Sequence, residues 1–221
     1  MKLLFVHGWG YSKAFWKPLI NYFEPQQFDL LDLGFFKNLK TTHKMLEDFG
    51  EHQHNYIVVG HSLGLMYVLN HFPSQFHRYI GINSFLCFVQ KNDFKEGVPK
   101  RILEKMLYQI TREPLKVLEE FYRRCGYKNF VLPSEEQLDV KQLRFGLQLL
   151  IGLDLRDKLK KIGGKLTVIT SEGDPIVSKP MVVESFKDQK VQWLSDNTHL
   201  LPYTQPKKCA DLIKEILRAN G

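Results

Sequence analysis

Tyr56-Ile57-Val58-Val59-Gly60-His61-Ser62-Leu63-Gly64 is the stretch that decides the fold. Tyr56–Val59 reads as a strand apolar on both faces, as a central strand of a parallel sheet must be. A Gly-x-Ser-x-Gly turn follows, and Ser62–His71 then reads as a helix that stops near Pro73. A strand turned so sharply into a helix strains the serine backbone, and glycines on either side leave room where a Cβ would clash. The serine stands at the C-terminal edge of the sheet, at a helix N-terminus whose free N–H groups favour developing negative charge. Alone, Gly-x-Ser-x-Gly is a weak pattern that an ordinary Gly-rich turn can also produce. Between a strand and a helix it marks Ser62 as a candidate nucleophile.

Working outward, short apolar runs alternate with amphipathic stretches, the rhythm of a parallel sheet flanked by helices. Strands are expected at Leu3–Val6, Phe28–Leu31, Tyr79–Ile82, Leu166–Thr170 and Val191–Leu194. Helices are expected over Lys13–Phe23, over Thr42–Gly50 with Thr41 or Thr42 as its cap, over Lys179–Phe186 and over Pro206–Ala219. From Leu86 to Gly152 no strand is convincing. Apolar residues there recur at three- and four-residue spacing: Ile102, Leu103, Met106, Leu107 and Ile110; Leu115, Leu118, Phe121 and Tyr122; Leu138, Leu143, Leu147, Leu150 and Ile151. The expected organisation is an α/β core of residues 1–85 and 153–221 with a helical cap, 86–152, inserted in it.

The chain has 221 residues, 43 % of them apolar and 25 % charged, which suits one ordered domain with a sizeable core. No run approaches the roughly 18–20 apolar residues of a membrane helix. The apolar run at the N-terminus is about four residues, too short for a signal-peptide core, so a cytoplasmic location is expected. Cys87, Cys125 and Cys209 lie far apart without CxxC spacing and read as reduced, partly buried thiols. His52 and His54 have no acidic or cysteine cluster beside them, so neither metal nor cofactor is expected. The net charge of +7 calls for an acidic partner, and no nucleic-acid motif accompanies it.

A nucleophilic serine needs a base, and the base needs an acid to orient it. On this fold the chain order is serine, acid, histidine. Asp174, in Ser171-Glu172-Gly173-Asp174-Pro175, follows an expected strand, and Gly-Asp-Pro gives it the tighter turn over its competitor Glu172. Of eight histidines, His199 alone satisfies both the order and a place just past a strand end. His7 lies in the first loop, His61 abuts the serine, and His43, His52, His54, His71 and His77 fall on expected helices or their edges. An oxyanion needs two donors already in place. The backbone N–H groups of Leu63 and of Trp9, in His7-Gly8-Trp9-Gly10, are the candidates. The Trp9 indole, His61, Phe121, Tyr122, Phe145 and Leu149 are expected to line the pocket.

With His7-Gly8-Trp9-Gly10, the serine turn, Gly-Asp-Pro and Asn197-Thr198-His199 in this order, the chain resembles the α/β-hydrolase superfamily. It is similar in particular to the pimeloyl-[acyl-carrier protein] methyl ester carboxylesterases of biotin synthesis. Val6–Gly10 with Phe15-Trp16, Leu149–Arg156, and the stretch from Asp174 through His199-Leu200-Leu201-Pro202 carry that likeness. It departs from their pattern at His61, where they usually have Trp, and at Leu65, where a second glycine is usual. The resemblance implies a serine esterase that releases methanol from an acyl chain held on a strongly acidic carrier, met by basic residues of the cap. Lys91–Lys128 holds ten Lys and Arg against six Asp and Glu, which places four of the seven net positive charges in one segment. Arg123 and Arg124, then Arg101 and Lys105, are the expected carrier contacts. A monomer is expected. A carrier thioesterase, a general small-ester hydrolase and a non-catalytic ligand-binding module remain as alternatives.

Overall fold

The computed structural model describes residues 1–37, 54–128, 130–162 and 164–218. The expected helix near Thr42–Gly50, with its cap, lies outside them. Among the described residues six strands form one wholly parallel sheet: β1 (Lys2–Val6), β2 (Phe28–Leu31), β3 (Tyr56–His61), β4 (Arg78–Ile82), β5 (Leu166–Ser171) and β6 (Lys190–Leu194), in the order β2-β1-β3-β4-β5-β6. Leu4, Phe5 and Val6 of β1 and Val58 and Val59 of β3 are fully buried, because helices cover both faces. The strand order reverses between β1 and β3, so their following loops diverge and open a crevice at the C-terminal edge. Val6 pairs with Gly60, and His61 with Ile82, so three strands end level there.

The expected first helix breaks in two: a 3-10 turn at Lys13–Trp16 and then α1 (Lys17–Ile20). Pro18 has no N–H to continue an i→i−4 ladder, and the Lys17 N–H closes instead on the Ala14 carbonyl, a 3-10 bond. Helix α2 (Leu63–His71) follows the serine and is buried almost all round. Between β4 and β5 come α3 (Lys100–Gln109), α4 (Pro114–Arg124) and α5 (Val140–Gly152). Leu138 is not in α5 as its spacing suggested. The Asp139 carboxylate accepts from the Gln142 N–H (3.0 Å) and starts the helix after it, while Leu138 bridges to Phe36. The Arg144 guanidinium donates to the Leu107 carbonyl at 2.9 Å and ties α5 to α3.

Returning to the sheet, the chain forms α6 (Leu159–Ile162), α7 (Lys179–Ser185), α8 (Leu201–Thr204) and α9 (Pro206–Arg218). The α9 face of Cys209, Ala210, Ile213 and Ile216 is buried, the stripe expected of a helix closing over a sheet. No helix of the described residues is long and apolar enough to cross a membrane. All three cysteines are free and buried, and burial pushes the thiols up, Cys87 to about 11 and Cys209 to about 12.

Two glycines let α2 sit close against β3 and the end of β1. A Cβ on Gly60 would lie 2.6 Å from the Leu65 backbone, and one on Gly64 would lie 2.6 Å from the His7 carbonyl oxygen. Neither neighbour can yield, since both are main chain. Gly64→Ala is therefore expected to cost about 2–3 kcal/mol of folding stability. A urea midpoint equal to that of the unaltered protein would refute this tight packing.

Candidate active site

Ser62 follows β3 with φ 53° and ψ −124°, a conformation that costs a non-glycine residue about 1–3 kcal/mol. Its N–H donates to the Ile82 carbonyl at 3.0 Å, so the sheet ladder runs into the turn and holds it. Leu63 begins α2, and its N–H has no partner within the helix. On the neighbouring loop, among the described residues, no protein acceptor takes the Trp9 N–H. That loop is anchored from β2. The buried Asp32 carboxylate accepts from Lys13 N–H and Gly34 N–H, both at 2.9 Å. Burial pushes Asp32 up, but the His7 imidazole and these donors outweigh it and hold the carboxyl below its usual range. His7 Nε2 lies 2.9 Å from the Leu33 nitrogen and its Nδ1 lies 2.9 Å from the Gly8 carbonyl oxygen.

Asp174 and His199 come from the loops after β5 and β6. Both side chains are fully shielded from solvent, and His199 Nδ1 lies 2.7 Å from Asp174 Oδ2. The other carboxylate oxygen accepts from Ile176 N–H (2.8 Å) and Val177 N–H (3.0 Å). The competitor Glu172 is exposed. His199 Nε2 is buried and makes no hydrogen bond among the described residues. With its far nitrogen on a carboxylate, such an imidazole can take a proton at Nε2 and be stabilised as the cation.

Asn83 was not singled out in the sequence. It follows β4 with φ 46°, and its Nδ2 donates to Asp174 Oδ2 (2.6 Å) and to Ser171 Oγ (2.9 Å). Ser171 Oγ in turn donates to the Thr198 carbonyl at 2.5 Å. The acid is thus gripped from β4, and the loop carrying the imidazole from β5. The only sequence signal was a polar pair, Asn83-Ser84, directly after an apolar strand.

A cavity of ≈ 520 Å3 opens beside Ser62, walled by Trp9, Phe85, Leu103, Phe121, Leu147 and Leu150 among others. Trp9 is fixed there: its indole N–H donates to the Leu143 carbonyl (2.8 Å), and Gly146 lets α5 close on it, since a Cβ would lie 2.6 Å from its ring. Of the residues expected in the pocket, the structure places Trp9 and Phe121 on this cavity's wall and four others off it. Phe145 and Leu149 are not on its wall, because α5 turns Leu147 and Leu150 inward and leaves Phe145 42 % exposed. Tyr122 is buried behind the wall, stacked on Tyr11 with its hydroxyl donating to the Gly10 carbonyl. His61 lies beneath the site, its ring 4.5 Å from that of Phe15 and 4.8 Å from that of His199. Arg101, Lys105 and Arg124 border the cavity, with Glu120 the one acid among its lining residues. Arg123 does not; it pairs with Glu119 at 2.6 Å on the exposed face of α4.

This arrangement is the α/β-hydrolase fold. An esterase from Exiguobacterium antarcticum shares it, with a TM-score of 0.79 and 15 % identity over 99 % of this chain and 92 % of that one. In sequence the chain is similar to the pimeloyl-[acyl-carrier protein] methyl ester esterase of Wigglesworthia glossinidia brevipalpis, 25 % identical over 99 % of this chain and 94 % of that one. It is likewise similar to the protein of that name from Legionella pneumophila (strain Lens), 26 % identical over 83 % and 80 % of the two chains. No family model matches the chain.

His61 Nε2 lies 2.8 Å from the His199 carbonyl oxygen, so it is the nitrogen that carries the proton. Burial, and then the neighbouring His199, hold the His61 ring well below the usual histidine range. It stays neutral in the folded chain. Its unfolded counterpart takes up a proton once the pH falls below about 6.5, and from there downward this histidine draws the balance toward unfolding. His61→Phe is expected to be less stable at neutral pH but to lose less melting temperature between about pH 7.5 and about pH 5. Equal losses in the two proteins would refute a neutral His61.

Proposed function

We propose that this chain is a serine esterase that opens the methyl ester of a pimeloyl-type acyl chain carried on acyl-carrier protein, a step of biotin synthesis. At the coarser level it is a carboxylic ester hydrolase, in keeping with its fold and the relatives it resembles. One observation carries the finer reading. A serine on a strained strand–helix turn opens into a largely apolar cavity of ≈ 520 Å3, and the loops after β5 and β6 carry a fully buried Asp–His pair.

In the proposed cycle His199 Nε2 takes the Ser62 proton as Oγ attacks the ester carbonyl, and Asp174 supports the imidazolium. The N–H groups of Trp9 and Leu63 receive the oxyanion. His199 then gives its proton to the departing methoxide. Water, deprotonated by the same imidazole, attacks the acyl carbonyl, and as the Oγ–acyl bond breaks the imidazolium returns the proton to Ser62 Oγ and the carboxylic acid leaves. Trp9, Phe121, Leu147 and Leu150 enclose the chain. Residues 86–152 act as the cap, and Arg101, Lys105 and Arg124 at the cavity border meet the acidic carrier, with Arg123 outside that rim.

Ser62→Ala is expected to abolish hydrolysis of a short p-nitrophenyl ester, and a fluorophosphonate should label the unaltered protein at Ser62. Failure to label would favour a binding module. Removing Arg101, Lys105 and Arg124 together is expected to raise KM for the carrier-bound methyl ester about tenfold and to leave a free short ester unaffected, an effect that added salt imitates. Equal rates on carrier-bound and free esters would make the protein a general esterase. Faster turnover of the thioester than of the methyl ester would make it a thioesterase.

A further inference from the structure

Helix α4 reaches both catalytic loops at once. From one turn of it, the Tyr122 hydroxyl donates to the carbonyl of Gly10, the residue after Trp9. Just past its end, the Cys125 carbonyl accepts the N–H of His199 at 2.9 Å. Phe121, next to Tyr122 on the helix, packs edge-on against the Trp9 ring, with centroids 4.9 Å apart. Gly126 then passes so close that a Cβ would lie 2.9 Å from the Thr198 methyl. The loop that presents the Trp9 N–H and the loop that presents the base are thus fastened to a single rigid element.

We propose that Tyr122 is a positioning residue: by holding the Gly10 carbonyl it fixes the turn that carries the Trp9 N–H, two peptide units before that carbonyl, and α4 sets the spacing between the oxyanion donor and the base. The idea rests on the reading of Ser62 and Trp9 given above. Gly10 has φ +73°, a region where a glycine turns easily; within the turn the Tyr11 N–H makes only a long bond to the Gly8 carbonyl (3.4 Å), and the Tyr122 hydroxyl steadies the turn from outside. The cavity side of the same helix carries Phe121 and Arg124, so an acyl chain in the cavity also bears on the element that holds the donors.

The test is Tyr122→Phe, which deletes one oxygen and keeps the ring stacked on Tyr11. On a short p-nitrophenyl ester kcat is expected to fall about tenfold with KM changed less than about twofold. Affinity for a trifluoromethyl ketone, which Ser62 converts to an oxyanion adduct, should fall by the same factor, because only the adduct uses the Trp9 donor. Tyr11→Phe removes another buried hydroxyl of the same aromatic cluster, one that makes no hydrogen bond to Gly10, and is expected to leave kcat and ketone affinity unchanged. Unchanged kcat in Tyr122→Phe overturns the proposal. So does an equal loss in Tyr11→Phe, which would mean general loosening, and so does failure of Tyr122→Phe to fold, which would make the hydroxyl a determinant of the fold. Full activity in Ser62→Ala would instead sink the serine reading itself, and the two failures are told apart in one set of assays.

Discussion

The backbone of Ser62 is held where a side chain is unwelcome, and much of the molecule is arranged to hold it there. A positive φ at a non-glycine residue survives only where neighbours over-determine it. Here β3 enters the turn through the Ser62 bond to Ile82, α2 leaves it packed against β3, and the missing Cβ atoms of Gly60 and Gly64 let the helix come within main-chain contact of β3 and of the end of β1. The sheet is correspondingly dense around it. Val58, Val59, Leu65, Val68 and Ile80 have no exposed surface. The strain is local and the stabilisation that offsets it is spread over the core.

The same economy of fixed groups governs the buried acid and imidazole. An ionised carboxylate shielded from solvent survives only when its lone pairs are satisfied. Asp174 meets that condition with two main-chain N–H donors on one oxygen, and with the His199 ring and the Asn83 amide on the other. His199 is held by its main chain too: its N–H goes to Cys125, its carbonyl takes the His61 Nε2–H, and the preceding carbonyl takes Ser171. Of the His199 ring, Nε2 has no hydrogen-bond partner among the described residues, and it is the atom the proposed chemistry uses. His61 suits the task because it supplies a donor without a charge, so it does not oppose the positive charge that the neighbouring imidazole would gain.

The helices between β4 and β5 do more than roof the cavity. Helix α5 pins the Trp9 indole through Leu143 and closes on it at Gly146, while α4 bonds to the loops of Trp9 and His199. The cavity wall and the loops of Trp9 and His199 are therefore not separable parts of this molecule. The cations at the cavity border sit on α3 and α4, so whatever docks there leans on helices that are bonded to the site.

The sequence by itself determined the strands, their parallel character, the strained serine turn and the order Ser62, Asp174, His199. Each of these is a local signal: β-branched runs, glycines at fixed offsets, a loop polar residue just past a strand end. Asn83 was hidden because its role is a contact across 91 positions of chain, and nothing in its immediate neighbours announces it. His61, Tyr122, Phe145 and Leu149 look alike in sequence, as large side chains near the site. That none of them lines the cavity follows from the rotation of α4 and α5 about their axes and, for His61, from its place at the end of β3, and these are fixed by distant partners: Gly146 against Trp9, Tyr122 on Gly10, His61 on His199. Periodicity gives a helix its apolar face, but only packing decides whether that face meets the substrate or the machinery behind it.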